Sequence, residues 1–390
     1  MSHDARHLKT YGVSYFFIFG ALAAVFPFYP LLLQHKGFNP SQIGYIMGAY
    51  DLISMSGLLI MGFLYDRIGA PKRTITAIIL ISAVILLSLT LTSFPPVVIL
   101  LTIVLGFFIK SPSSLLDAHF GQALPDHNDS YGRTRLGGSL GFMLMALLIQ
   151  VTGAVSGSQP VSVFAGYGIT MIFTIAVLFF LPVAKPHETQ ESGAEKKSGF
   201  LSSIKTFPRL YWIGLLIGFL NSLALSGHYT FFSLMLKNRF GMENVSGFWA
   251  IGPFFEIPMF FFSTILLKKI RLRTLWSFSM LAGTTRMLFY AHSTTLLPLY
   301  IIQISHSFSF GINHFCMINL INRKTPASER GLAMSIFTAV GMGLSLFAGG
   351  IIGGTILKFG DFALLFQVFS LFPLAAIAIN FIFLPKEVRS

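Results

Sequence analysis

Twelve apolar runs, each about 20 residues or longer and so able to cross a bilayer, leave this chain few architectures. They are Tyr11–Gln34, Ser41–Tyr65, Thr74–Phe94, Pro96–Gly121, Leu136–Gly157, Pro160–Val183, Pro208–Leu236, Asn244–Leu267, Thr274–His292, Thr295–Ile321, Gly331–Leu357 and Phe362–Leu384. With 54% hydrophobic and only 11% charged residues, the chain has too little polar surface to cover a soluble globule of 390 residues. The expected fold class is an all-α integral membrane protein with twelve transmembrane helices.

The formal net charge of +13 raises nucleic acid as a partner, and the placement of the cations argues against it. Lys and Arg fall in alternate short loops, for example Arg67/Lys72/Arg73, Arg133/Arg135, Lys268/Lys269/Arg271/Arg273 and Arg323/Lys324/Arg330, while the opposite loops carry only Lys36, Lys237, Arg239 and Lys358. By the positive-inside rule the basic loops and both termini are cytoplasmic, in a multi-pass protein of the cell inner membrane. The first run is too long for a cleaved signal peptide and is followed by a second span, so it serves as its own insertion signal. The single Cys316 excludes an intrachain disulfide, and the Asn244-Val245-Ser246 sequon lies too close to a helix start to argue for glycosylation.

The only long polar stretch, KPHETQESGAEKKSGF, separates six runs from six. It marks a cytoplasmic linker at 185–206 between an N-terminal six-helix bundle, 1–184, and a C-terminal one, 207–390. The halves echo one another: Leu33, Lys36, Gly44 and Tyr45 keep a constant offset from Leu236, Arg239, Gly247 and Phe248, and Pro125/Gly132 after the fourth span match Pro326/Gly331 after the tenth. Six spans per half with such an echo point to an internal duplication, the trace of a transporter built from two related bundles.

After the second span the chain reads GFLYDRIGAPKR. An acid beside arginines at a helix end forms charge pairs that break when bundles rock, and a Gly lets helices approach. This stretch resembles the loop signature of the major facilitator superfamily, with Gly62, Asp66, Arg67, Gly69, Lys72 and Arg73 at the matching positions. The copy after the eighth span, LLKKIRLR, lacks the Asp and the Gly. The resemblance covers essentially the whole chain. It implies two six-helix bundles related by pseudo-two-fold symmetry, working by alternating access.

Ionisable residues at membrane depth mark the candidate site. Counted at 1.5 Å per residue, Asp51, Glu256, Arg286 and His306 lie about 15–20 Å from a surface, with Lys110 slightly further in. Each costs roughly 2.5–3.5 kcal/mol even on a lenient insertion scale, so each must face the interior and find partners. Lys110 and Asp117 are spaced to share a helix face, as are His306 and Asn313, and Asn221, His228, Tyr229 and Gln303 add polar edges. Bland readings stand beside the functional ones. Glu256 with Arg286 makes either a coupling element or a fixed ion pair, and Asp51 or Asp117 neutralises Lys110 without any solute. His228 and His314 are equally satisfied core histidines. Asp117, towards the cytoplasmic end of its helix near Arg133 and Arg135, fits a conformational latch with Gly62, Asp66, Arg67, Gly69 and Arg73. Gly252, Pro253 and Pro258 mark the eighth span for a bend around Glu256.

A narrower resemblance rests on Tyr131-Gly132-Arg133-x-Arg135, Gly137/Gly138-Ser139-x-Gly141-Phe142, Leu116-Asp117, Trp249-Ala250-Ile251-Gly252 and Ser305-His306-Ser307. These look like the branch that contains phenylpropionate permease, which is similar to the oligosaccharide:proton symporters. The lactose permease uses a Glu on helix 8, an Arg on helix 9 and a His on helix 10 for coupling and sugar binding, and Glu256, Arg286 and His306 fall on the same helices. The second acid of that permease, one turn after its His, is Ser309 here, which leaves Glu256 or Asp51 to carry the proton.

The expected function is therefore secondary transport: a proton-coupled symporter importing a small organic solute, either an aromatic or organic acid drawn to Lys110 or a sugar-like molecule held by Asn221, Gln303 and Asn313. The proton-coupling set is Glu256, Asp51, Arg286 and His306; the substrate set is Lys110, Asn221, His228, Tyr229, Gln303, His306 and Asn313. Proton-coupled efflux is the rival, although the fifth span, GSLGFMLMALLIQVTGAVSG, lacks the Pro of the antiporter motif. A non-transporting receptor stands behind it. No metal-spaced cluster or nucleophile with a base points to an enzyme. No cofactor or metal is expected, and the expected partners are the solute, protons and the lipid bilayer, with the chain a monomer.

Overall fold

Proline opens helix after helix. It occupies the first turn of α3 (Pro40–Ile68), α4 (Pro71–Leu91), α5 (Pro95–Ile109) and α8 (Pro160–Leu178), where its missing N–H costs nothing and its fixed φ suits the helix. The structure, a computed structural model, describes residues 3–68, 70–124, 127–183, 204–326 and 329–384. The remaining elements in chain order are α1 (His3–Val25), α2 (Tyr29–His35), α6 (Ser111–Ala123), α7 (Asn128–Thr152), α9 (Arg209–Phe240), α10 (Ser246–Lys269), α11 (Leu272–His292), α12 (Leu296–Ile302), α13 (Asn313–Lys324), α14 (Arg330–Ile336), α15 (Ser345–Phe359) and α16 (Phe362–Phe383). Gly153 and Gly241, both at positive φ, stop α7 and α9.

Several of these helices join end to end into single spans: α1 with α2, α5 with α6, α12 with α13, and α14 with α15. The joints are informative. Pro27 and Pro30 flank the first, and Lys110 is the single residue between α5 and α6, followed by Pro112. The tenth and eleventh spans are interrupted by π-helical turns, Ser307–Ile312 and Phe337–Leu344, a geometry that appears frequently at functional positions. The eighth span, where the sequence expects a bend, is assigned as one helix from Ser246 to Lys269 through both prolines.

Among the described residues nine of the resulting helices are long and apolar enough to cross a membrane. The other three paths, 246–269, 272–292 and 296–324, complete the twelve runs. Polar and ionisable residues of the candidate site, Arg286, Gln303 and His306 among them, lower the hydropathy of the last two of these paths.

The chain packs as two compact units: Met1–Pro186 with Tyr229–Phe254, and His187–His228 with Phe255–Ser390. In the first, α1 lies along α7 and α8, and α3 along α5. A Cβ at Gly141 would collide with the Phe16 carbonyl, and one at Gly106 would sit 2.6 Å from the Tyr50 carbonyl, so small residues set these approaches. The hairpin of the seventh and eighth spans joins this unit through polar bonds. The Asn244 amide donates to the Ile149 and Gln150 carbonyls at 3.1 Å each, and the Gly247 N–H donates to Gln150 Oε1 at 2.8 Å. In the second unit α11 packs along α16 around a core that includes Tyr211, Trp276, Met280, Met317 and Leu320. Most of the expected linker, at 185–203, lies outside the described residues.

Candidate functional site

Three helices of the second unit bring its ionisable residues together. Arg286, 1% exposed, sits on α11; Glu256 comes from α10; His306 and Gln303 come from the joint between α12 and the π-helical turn. His306 occupies the centre. Its Nδ1 meets Arg286 Nη1 at 2.8 Å, and its Nε2 meets Glu256 Oε1 at 3.1 Å. The guanidinium then spends its other donors on Gln303 Oε1, 2.7 Å from Nη2, and on the Tyr290 hydroxyl, 2.7 Å from Nε. The Tyr290 hydroxyl also reaches Gln303 Oε1 and His228 Nδ1, each at 3.0 Å.

Donor and acceptor rules fix the protonation pattern. A guanidinium only donates, so His306 Nδ1 must accept from it, and the imidazole is the neutral tautomer with its proton on Nε2. That proton points at Glu256, whose carboxylate accepts it. The expected direct pair of Glu256 with Arg286 is not formed among the described residues; the imidazole stands between them. With Nδ1 accepting from the guanidinium, His306 has no vacant lone pair for a further proton.

The other expected polar residues of this unit divide. Gln303 and His228 belong to the cluster. Asn221 donates to the Ser309 carbonyl at 2.9 Å, and Ser279 donates to the same carbonyl at 3.0 Å. Both therefore satisfy a carbonyl of the π-helical turn. Asn313 accepts from the Trp276 indole at 2.7 Å and is buried. His314 stacks on Phe310. An apolar cavity of about 540 Å³ lies between α10, α11 and the π-helical turn, lined by Phe255, Pro258, Met259, Phe278, Phe308 and Ile312 among others, and Glu256 is not part of its lining.

The first unit holds a second ionic site. Lys110, at the joint between α5 and α6, donates to Asp51 Oδ1 at 2.7 Å and lies 5.2 Å from the centre of the Tyr50 ring. Asp51 is 7% exposed and Lys110 27%. Asp117 does not pair with Lys110; it accepts from the Tyr15 hydroxyl at 2.7 Å and lies 3.3 Å from Arg135 Nε, whose guanidinium covers the Phe19 ring at 4.3 Å. Tyr229 is part of this unit, with its ring against Trp249. Of the expected latch, Arg67 lies over the Phe63 ring and Arg133 is exposed. Gly62 has open space where a Cβ would stand, and Arg73 is exposed. Gly69 and the Asp66 side chain lie outside the described residues.

Two participants escape a search for charged residues. Tyr290 follows Arg286 by four positions and so shares its face, which is a readable signal. Tyr15 has no such signal, since its partner Asp117 is distant in sequence.

A model of the MFS_1 like family matches residues 8–368. The chain belongs to that family. The chain is accordingly a multi-pass membrane transporter of the major facilitator superfamily, not an enzyme. Over 351 residues it is 25% identical to the probable 3-phenylpropionic acid transporter of Escherichia coli K12, covering 86% of this chain and 88% of that protein. It is 22% identical to the maltose permease of Geobacillus stearothermophilus, covering 98% and 96%. Among solved structures, the nucleoside transporter NupG superposes with a TM-score of 0.79 at 14% identity over 97% of this chain and 99% of that one, and the D-xylose-proton symporter with 0.72 at 12% identity over 97% of both. These likenesses carry the fold of two six-helix bundles.

Proposed function

We propose that this transporter is a proton-coupled symporter that imports a small organic anion, with Glu256 as the proton acceptor. The observation that carries the reading is the neutral imidazole of His306 held between a guanidinium and a carboxylate. With Glu256 ionised, the positive charge of Arg286 is balanced through His306. Protonating Glu256 removes that balance and leaves a buried cation, which is costly in a membrane interior. A carboxylate-bearing solute restores it. Proton and anion then favour each other's binding, which is the thermodynamic content of symport.

An aromatic carboxylate is favoured because a relative named as a probable 3-phenylpropionic acid transporter points that way. Lys110, with Tyr50 beside it, is a second cation for such a solute, exchanging Asp51 for it. Gln303 and His228 serve as polar contacts. A sugar-like solute is less well provided for, because Asn221 and Asn313 are spent on the π-helical turn and on Trp276. Asp117 with Arg135, and the residues around Gly62, Arg67 and Arg73, form the ionic contacts that rearrange as access alternates. The basic loops place both termini in the cytoplasm, with the chain working as a monomer in the inner membrane.

Uptake into proteoliposomes with an imposed pH gradient tests this directly. Accumulation of an aromatic monocarboxylate such as 3-phenylpropionate should follow the gradient and collapse with it. Accumulation indifferent to the gradient, or a Glu256→Gln variant that accumulates as well as the native protein, overturns the reading.

A further inference from the structure

The sixth span, α8, ends in the pair Phe179-Phe180, 75% and 66% exposed. A groove runs along each side of this end. On the α4 side a groove of about 280 Å³ has walls that include Thr76, Leu80, Ile175 and Phe179, and Lys72 and Arg73 stand at its mouth. On the α1 side a groove of about 270 Å³ is walled by Val13, Val177 and Phe180, with Arg6 and Lys9 at its mouth. Two separate grooves thus repeat one pattern: an apolar channel between helices, closed at the basic end by two cations. No carboxylate lines either groove among the described residues.

We infer that these grooves bind anionic glycerophospholipid, one molecule in each. The wall residues include side chains exposed to a degree unsuited to water, among them Leu80 at 53% and Val13 at 42%, and acyl chains would cover them. The cations supply what a phosphodiester needs, and two cations on one phosphate favour a headgroup that brings no positive charge of its own. Basic pockets between transmembrane helices on the cytoplasmic side have this recognition logic. Lys72 is held in place for the role: its ammonium donates to the Leu181 carbonyl and, at 3.4 Å, to the Phe179 carbonyl, which fixes it at the C-terminal end of α8 and leaves a third N–H. Arg73 stands next to it with its guanidinium available for bidentate contact with phosphate. A zwitterionic lipid would fill the same walls, but its ammonium would meet the cations and repel them.

The test is native mass spectrometry of the full chain released from nanodiscs of equal phosphatidylglycerol and phosphatidylcholine. Native protein should retain up to two phosphatidylglycerol molecules in preference to phosphatidylcholine. Lys72→Gln/Arg73→Gln should lose one, Arg6→Gln/Lys9→Gln should lose the other, and the four substitutions together should lose both. Arg323→Gln/Lys324→Gln, a basic pair outside the grooves, should retain two. Size-exclusion profiles of the variants separate loss of lipid from loss of fold, and a variant that aggregates is replaced by the single substitutions. Equal retention of the two lipids, or variants that keep both phosphatidylglycerol molecules, overturns the inference. So does displacement of the retained lipid by millimolar inorganic phosphate or glycerophosphoglycerol, which would identify sites for a soluble phosphate instead.

Discussion

His306 keeps Arg286 and Glu256 apart while touching both, at 2.8 Å through Nδ1 and 3.1 Å through Nε2. An imidazole in this position transmits charge without carrying it, because its acceptor nitrogen is occupied by the guanidinium. The arrangement separates two roles that a direct ion pair would merge. Under the proposed symport, Glu256 takes the role of proton acceptor and Arg286 that of the charge whose balance changes.

Glu256→Gln removes the proton-accepting carboxylate of the proposed mechanism and keeps the shape. Gln accepts from His306 Nε2 through its carbonyl oxygen, so the cluster should stay assembled, with Arg286 permanently unbalanced. The expected outcome is loss of gradient-driven accumulation with solute exchange retained. Paired measurements of uptake and counterflow check it.

His306 itself should discriminate by hydrogen-bond chemistry. Gln at this position offers one acceptor and one donor, so His306→Gln should preserve much of the fold's stability. His306→Leu strands a buried guanidinium and a buried carboxylate, and breaking a buried pair in this way costs about 3–5 kcal/mol. Thermal unfolding in detergent should therefore rank native, Gln and Leu in that order, with the larger gap before Leu. Equal Tm values for the two variants would remove His306 from its bridging position.

Lys110 and Asp51 should couple. Asp51→Ala leaves a cation at a helix joint inside the membrane, and Lys110→Ala leaves a carboxylate that is 7% exposed. Each single variant should be less stable than the double variant predicts by addition, with a coupling of about 1–3 kcal/mol for groups in direct contact. If Lys110 also receives a solute carboxylate, native protein should be stabilised by the ligand and Lys110→Ala should not be, in thermal-shift titrations.

The all-helical, multi-span fold was legible from the sequence, because hydropathy is a property of single segments. The partners were less so. Which of two acids at one depth faces Arg286 depends on how α10, α11 and the α12 joint are rotated against each other, and that is decided by packing. Hence Glu256 was placed beside Arg286 when His306 intervenes, and Lys110 was offered both Asp51 and Asp117 when only Asp51 reaches it. The helix breaks were legible only in part: Pro112 marks the joint at Lys110, whereas the π-helical turns leave no mark in composition. Asn221 and Asn313 looked like ligand groups because their carbonyl and indole partners belong to other helices.

Asn313 gives the sharpest separation of packing from binding. Its Oδ1 accepts the Trp276 indole N–H at 2.7 Å, and both side chains are buried in the core of the second unit. Asn313→Leu leaves that N–H without an acceptor, and an orphaned buried donor costs about 1–3 kcal/mol. Tm should fall accordingly, while the KM for the transported solute stays within about twofold of native, because the residue is occupied by Trp276 and not by solute. Trp276→Phe removes the donor together with the need for its acceptor, so adding Asn313→Leu to it should cost much less than Asn313→Leu alone. A KM raised tenfold or more by Asn313→Leu with Tm unchanged would instead assign Asn313 to the solute.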